Sequence, residues 1–131
     1  DYIDLLLAGD EEAACELADS RDTHSAYAGS KHGICCWLRR QSGDLARRGL
    51  RINAVAPGIV QTPLSDKVLA DPELGQVMKD FGDSVPLGKV GQPEQIASVV
   101  EFLLGPGADY MTGSIVFVDG GHDAMLRPDT F

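Results

Sequence analysis

The sequence predicts an α/β fold in which helices cover part of a parallel sheet. Three observations carry that expectation. Helix-patterned and strand-patterned stretches alternate as helix, strand, helix, helix, strand, the order that parallel strands joined by helical crossovers require. The last strand candidate, Ser114-Ile115-Val116-Phe117-Val118, is a continuous apolar run of the kind buried on both faces. Only two clear strands are present, too few to bury both faces of a parallel sheet, so the pattern is that of part of a larger sheet.

The first element is an acidic helical segment over residues 1–24, set apart from 25–131. Leu5, Leu6 and Leu7 stop at Gly9, and Asp10-Glu11-Glu12 supplies carboxylates suited to a helix N-terminus ahead of Ala13, Ala14 and Leu17. One short surface helix is expected there, with 19–25 as a polar connection. A long helix follows over 26–48, carrying Ile34, Trp37, Leu38 and Leu45, with basic residues concentrated late and Gly49 at its end. Gly29 and Gly33 weaken it by roughly 1 kcal/mol each relative to Ala, which implies close approach of another backbone or a ligand. Residues 50–56 alternate apolar and polar until Pro57-Gly58, as a strand leading into a loop.

Residues 64–85 mix a possible helix with Asp71-Pro72 and Gly82, and a mobile excursion over a site is expected. Pro93 suits a first helical turn. After it, Ile96, Val99, Val100, Leu103 and Leu104 repeat at helical spacing until Gly105-Pro106-Gly107. The strand 114–118 then closes on Asp119-Gly120-Gly121.

Composition excludes several functions. With 131 residues, of which 44% are hydrophobic, the chain has the size and apolar content of one globular domain. Asp and Glu number 20 against 11 Lys and Arg, a formal charge of −9, so no nucleic acid partner is expected. No apolar run approaches the ~20 residues of a membrane span. Cys15, Cys35 and Cys36 lack Cys-x-x-Cys spacing, and adjacent cysteines do not readily reach disulfide geometry. They read as reduced core thiols of a cytoplasmic protein. The start, Asp-Tyr-Ile-Asp-Leu-Leu-Leu, has no basic region and does not read as a signal peptide. His24, His32 and His122 have no metal-ligand spacing, and no metal site is expected.

The sharpest local feature is Tyr27-Ala28-Gly29-Ser30-Lys31. Residues four apart share a helix face with β carbons about 5–6 Å apart, so the phenol and the ammonium can point into one cleft. At about 5 Å and an effective dielectric near 20, the ammonium would stabilise a phenolate by roughly 3 kcal/mol. That would bring Tyr27 toward general acid/base work near neutral pH.

Tyr27-x-x-x-Lys31, then Asn53-x-Val55-x-Pro57-Gly58-x-Val60-x-Thr62, then Asp119-Gly120-Gly121 stand in one order and spacing. Together they resemble the short-chain dehydrogenase/reductase family over nearly everything from Ser25 onward. The resemblance implies that the fold is the C-terminal portion of a Rossmann-like doubly wound parallel sheet. It also implies an oxidoreductase that interconverts a secondary alcohol and a ketone with NAD or NADP as cofactor. By the same resemblance Tyr27 exchanges a proton with the substrate, and Lys31 holds the nicotinamide ribose and supports the Tyr27 phenolate. Pro57, Gly58 and Ile59 lie against the nicotinamide, with Ile59 backbone groups on its carboxamide, and Thr62 contacts the cofactor. The excursion matches the substrate loop, where Leu64, Val68, Leu69, Met78 and Phe81 cover an apolar alcohol or ketone.

Both ends of the chain further resemble the bacterial subgroup of 3-alpha-hydroxysteroid dehydrogenases/carbonyl reductases, which carries an acidic insert before the catalytic Tyr. That implies a steroid-like substrate and a homodimer through 92–104 and 114–118.

Departures from the family are equally plain. No segment supplies its Gly-x-x-x-Gly-x-Gly phosphate loop, and the usual position of its catalytic Ser is Ala14. In the insert-bearing subgroup that Ser falls upstream of residue 1. The 131 residues therefore read as the substrate-and-proton half of such an enzyme. The competing reading is a truncated or degenerate non-catalytic module that mediates subunit association. For half of such an enzyme, incomplete sheet edges and an unusually open apolar face are expected where the missing strands should pair.

Overall fold

A computed structural model of the chain describes residues 1–71 and 74–130, with the side chains of Asp66, Leu69, Leu74 and Met78 outside that description. Two units are present, Asp1–Ala54 with Met111–Ser114, and Val55–Tyr110 with Ile115–Phe131.

The first unit is helical. Helix α1 (Tyr2–Ala8) starts where the Asp1 carboxylate accepts the Asp4 N–H at 3.0 Å, and it stops at Gly9 in the left-handed conformation, φ 75°. Helix α2 (Glu11–Asp19) restarts at once, because the Asp10 carboxylate accepts the Ala13 N–H at 3.2 Å. The one short helix expected after the Gly9 stop is α2, and α1 ahead of that stop is a second helix beyond the expectation. Helix α3 (Thr23–Arg47) begins three residues earlier than its apolar pattern predicts. The Asp22 carboxylate accepts both the Ser25 N–H at 2.9 Å and the Ser25 hydroxyl at 2.6 Å, drawing part of the expected connection into the first turn.

Glycines decide how α1 meets α3. A β carbon on Gly29 would lie 2.7 Å from Tyr2 Cδ1, and one on Gly33 would lie 3.0 Å from Leu6 Cδ1. Tyr2 is only 8% exposed. The neighbours at these glycines are two α1 side chains, where the sequence reading expected another backbone or a ligand.

Residues 111–114 pair with 52–54 in the same unit. The Asn53 amide donates to the Met111 carbonyl at 2.9 Å and accepts the Ser114 N–H at 3.1 Å, while Gly113 N–H reaches the Ile52 carbonyl at 2.7 Å. Asn53 satisfies the neighbouring chain with its side chain, so the strand β1 (Ala54–Pro57) starts later than the alternation from Leu50 predicts.

Strand β1 pairs with β2 (Ile115–Val118) in a two-stranded sheet. Ala54 N–H to the Ser114 carbonyl and Gly58 N–H to the Val118 carbonyl keep one register in one direction, so the strands are parallel, as expected of an α/β protein. The second unit continues through α4 (Pro63–Leu69), α5 (Leu74–Asp83) and α6 (Pro93–Leu104). The excursion expected over 64–85 is thus largely helical. Helix α6 has the predicted limits: Pro93 opens it, Gln95 Oε1 accepts the Gln92 N–H at 2.8 Å, and Gly105 ends it. A 3₁₀ turn (Pro106–Ala108) follows, and a short helix α7 (His122–Leu126), absent from the sequence expectation, follows β2.

Large apolar side chains stand open on this unit, among them Phe102 at 50%, Leu104 at 79% and Phe117 at 47% exposure. Phe102 and Leu104 lie two positions apart on α6 and so point to opposite sides of that helix, which makes these separate exposed groups and not one open face. Among the described residues no helix is long and apolar enough to cross a membrane.

Candidate active site

Tyr27 and Lys31 lie one turn apart in α3, and the Lys31 ammonium stands 5.4 Å from the centroid of the Tyr27 ring. Gly29 and Gly33, two positions on from each, face about 200° away round the helix. Helix α1 therefore covers one side of α3 and leaves the Tyr27–Lys31 side uncovered within this unit: Tyr27 is 63% exposed. The ammonium approaches the ring face, a cation–π arrangement, while solvent around both groups keeps their attraction weak in this chain. Ser30, between them, donates its hydroxyl to the Tyr27 carbonyl at 2.7 Å and so turns back on the helix.

Pro57, Gly58, Ile59 and Thr62 belong to the other unit, where β1 ends. A β carbon on Gly58 would lie 2.7 Å from the Asp119 α carbon, so only glycine lets the two strand ends meet. The Ile59 carbonyl accepts the Gly91 N–H at 2.9 Å, and the Gly91 carbonyl accepts the Gln61 N–H at 2.9 Å. These bonds form an isolated parallel bridge between Val60 and Gly91, reinforced by Gln92 Nε2 donating to Gln61 Oε1 at 3.3 Å. Thr62 opens α4: its hydroxyl accepts the Ser65 N–H at 3.2 Å, and Ser65 Oγ accepts the Thr62 N–H at 2.7 Å. Ile59 also lines a cavity of about 490 Å³ together with Val85, Leu87, Ile96 and Phe117.

Of the residues expected to cover a substrate, Leu64 and Phe81 are exposed and Val68 is half-buried. The side chains of Leu69 and Met78 lie outside the described residues. Phe81 is not free-standing: its ring meets that of His122 edge-on, with centroids 4.4 Å apart. His122 Nε2 is also 3.2 Å from Ser84 Oγ. The spacing of the sequence gives no sign of His122 or of the bridge at Gly91, because both depend on contacts between distant segments.

Asp119 organises the end of β2. Its two carboxylate oxygens accept the Gly121 N–H at 2.9 Å and the Asp123 N–H at 2.7 Å. Burial pushes the carboxyl upward, but the bonds from Asp123 and Gly121 outweigh it and hold the group below its ordinary value. Asp22 is likewise held low, by the Ser25 hydroxyl and then the Ser25 N–H.

The donors available suit the ribose end of a nicotinamide nucleotide. Lys31 offers three N–H donors and forms no ion pair among the described residues, and the exposed Tyr27 side chain carries a phenol. Both match ribose hydroxyls. Among the described residues no group of three His, Cys, Asp or Glu side chains is placed to hold a metal ion.

Comparison with known proteins agrees with this architecture. The family described as enoyl-(acyl carrier protein) reductase matches residues 16–123. A 3-alpha-hydroxysteroid dehydrogenase/carbonyl reductase of Comamonas testosteroni is 37% identical over 129 residues, 96% of this chain and 49% of that protein. The crystal structure of the 3-alpha-hydroxysteroid dehydrogenase from Pseudomonas sp. B-0831, complexed with NADH, is 47% identical and superposes with a TM-score of 0.90, over 100% of this chain and 51% of that one. A structure from Agrobacterium tumefaciens with bound NADP is 33% identical with a TM-score of 0.68, over 76% of this chain and 39% of that one. The chain spans 35–49% of the length of the curated relatives it matches.

Proposed function

The chain belongs to the short-chain dehydrogenase/reductase family, and on that premise we propose that it works as the C-terminal half of an NAD(P)-dependent oxidoreductase. The reaction is the interconversion of a secondary alcohol and a ketone of apolar, steroid-like type. One observation carries the reading: Tyr27 and Lys31 share the side of α3 that α1 leaves uncovered, with the ammonium 5.4 Å from the phenol ring. The names and bound nucleotides of the relatives support the substrate and cofactor classes.

NAD(P), when bound, exchanges a hydride with the substrate carbon. In the reducing direction Tyr27 gives its hydroxyl proton to the carbonyl oxygen as the hydride arrives, so a C–H and an O–H bond form and the ketone becomes an alcohol. In the oxidising direction the Tyr27 phenolate takes that proton back. Lys31 serves twice, stabilising the phenolate by its charge and donating to ribose hydroxyls. Exclusion of water by substrate and cofactor strengthens that charge interaction. Ile59 holds the carboxamide through its backbone, Pro57 and Gly58 shape the surface beside it, and Thr62 contributes its hydroxyl while opening α4. Leu64, Val68, Leu69, Met78 and Phe81 cover the apolar substrate.

The same reading places a homodimer contact at 92–104 and 114–118, supported by the open Phe102, Leu104 and Phe117. Those exposed side chains equally favour a second reading, a non-catalytic association module. The two separate cleanly. Purified full-length protein is incubated with NADH or NADPH and a panel of apolar ketones that includes a 3-oxosteroid, and nicotinamide absorbance is followed. Steady consumption of the nicotinamide is expected; dimer formation with no turnover of any ketone would favour the association module.

A further inference from the structure

Helix α5 closes the segment that, on the reading above, covers the substrate, and its far end is fastened to the C-terminal segment by one side chain. His122 is the first residue of α7. Its ring packs edge-on against Phe81, and its Nε2 meets Ser84 Oγ at 3.2 Å. Ser84 already gives its single hydroxyl proton to the Phe81 carbonyl at 2.7 Å, so toward the imidazole it can only accept. That leaves the Ser84 oxygen placed to accept from an Nε2–H on His122. Both contacts fall on the last turn of α5 and the residue just after it, Asp83 being its final residue.

The base of this fastening is well anchored. Gly120 and Gly121 adopt φ of 68° and 90°, turning the chain sharply out of β2. The Asp119 carboxylate takes the N–H groups of Gly121 and Asp123, and the Gly120 carbonyl accepts the Leu87 N–H at 3.2 Å. On the other side of α7, Arg127 pairs with Asp123 at 2.6 Å and lies 5.8 Å from the Phe117 ring centroid on β2. The imidazole thus projects from a turn fixed to the sheet.

We propose that His122 is a positioning residue: it ties the end of α5 to the C-terminal turn and thereby sets how firmly the substrate-covering segment closes over an apolar substrate. This rests on the oxidoreductase reading for its effect on substrate, though not for the tie itself. Loss of the ring removes one hydrogen bond and one aromatic contact, together equivalent to about a tenfold change in the closing equilibrium. The cost falls on substrate capture and leaves the proton and hydride steps alone.

The test uses the full-length protein with His122→Ala and His122→Gln, the latter keeping an amide donor within reach of Ser84. Hydrogen exchange across 74–84 is measured without substrate, and KM, kcat and NADH affinity are measured with an apolar ketone. Expected for His122→Ala are about tenfold faster exchange in α5 and about tenfold higher KM, with kcat and NADH affinity little changed. His122→Gln should recover much of both effects, which mere loss of packing would not allow. Unchanged α5 exchange in His122→Ala overturns the tie; faster exchange with unchanged KM, or kcat falling in step with kcat/KM, overturns its role in substrate capture. If the parent protein turns over no ketone, the oxidoreductase reading falls together with that role, and the exchange measurement still decides the tie.

Discussion

The Asp119 α carbon lies 2.7 Å from the point that a β carbon on Gly58 would occupy, so the ends of the two paired strands meet backbone to backbone. Sixty-one positions separate the two residues along the chain. The contact explains why a Pro-Gly at the end of one strand and an Asp-Gly-Gly at the end of the other serve one structural purpose. Gly58 admits Asp119, and Asp119 then spends both carboxylate oxygens on the turn into α7.

Substitution of Gly58 tests this directly. A methyl group there must push against backbone, which cannot rotate aside as a side chain can, and Gly58→Ala is expected to cost about 1–3 kcal/mol in the full-length protein. Gly43→Ala is the control: the nearest atom to its β carbon is an Arg47 side-chain nitrogen at 3.8 Å. In mid-helix it should gain about 0.5–1 kcal/mol. Urea unfolding of the two variants side by side should move their midpoints in opposite directions. A Gly58→Ala protein as stable as its parent would contradict the close approach.

Gly29 sets two effects against each other. Alanine is favoured over glycine in a helix by about 1 kcal/mol, yet its β carbon would fall 2.7 Å from the buried Tyr2 ring. Burial of a large aromatic is worth more than that gain. Gly29→Ala should therefore loosen α1, seen as faster hydrogen exchange over residues 2–8 with α3 still protected. Equal or slower exchange there would show that propensity wins.

Acid should act on α7 through Asp119. Its carboxyl is held below the ordinary value of 3.8, so the charged form supports the folded turn at any pH above that value. The support is lost as pH falls below 3.8 and through the lower folded value, when protonation removes the negative charge that the Gly121 and Asp123 N–H groups, each on its own oxygen, stabilise. Protection of the α7 amides should fall across that window in the parent. In Asp119→Asn, where no charge is titrated at that position, the loss attributable to it should disappear. A parallel fall in both proteins would assign the acid sensitivity elsewhere.

Much of this fold was legible in the chain. Helix α6 was readable to the residue because its signals are local: Pro93 at the start and Gly105 at the end. Strand β1 was read four residues too early, since the Asn53 side chain pairs with Met111 and Ser114, and no local pattern reports a partner so distant in sequence. Gly29 and Gly33 announced a close neighbour without identifying Tyr2 and Leu6. The Gly9 stop and the Asp10 start were readable in the first unit, whereas helix α1 ahead of them and the earlier start of α3 at the Asp22 cap were not. At the site, the spacing of Tyr27 and Lys31 alone placed both on one turn of α3, whereas His122 owes its position to a glycine turn and to contacts from α5.

The central claim is that the Tyr27 hydroxyl moves the proton while cofactor binding depends on other groups. Tyr27→Phe in the full-length protein removes that oxygen alone. Nicotinamide fluorescence gives NADH affinity, and turnover of an apolar ketone gives the rate in the same preparation. The expected result is affinity close to that of the parent with turnover lowered at least about a hundredfold, the lower end of what a positioned acid or base contributes. Turnover equal to that of the parent would contradict the assignment.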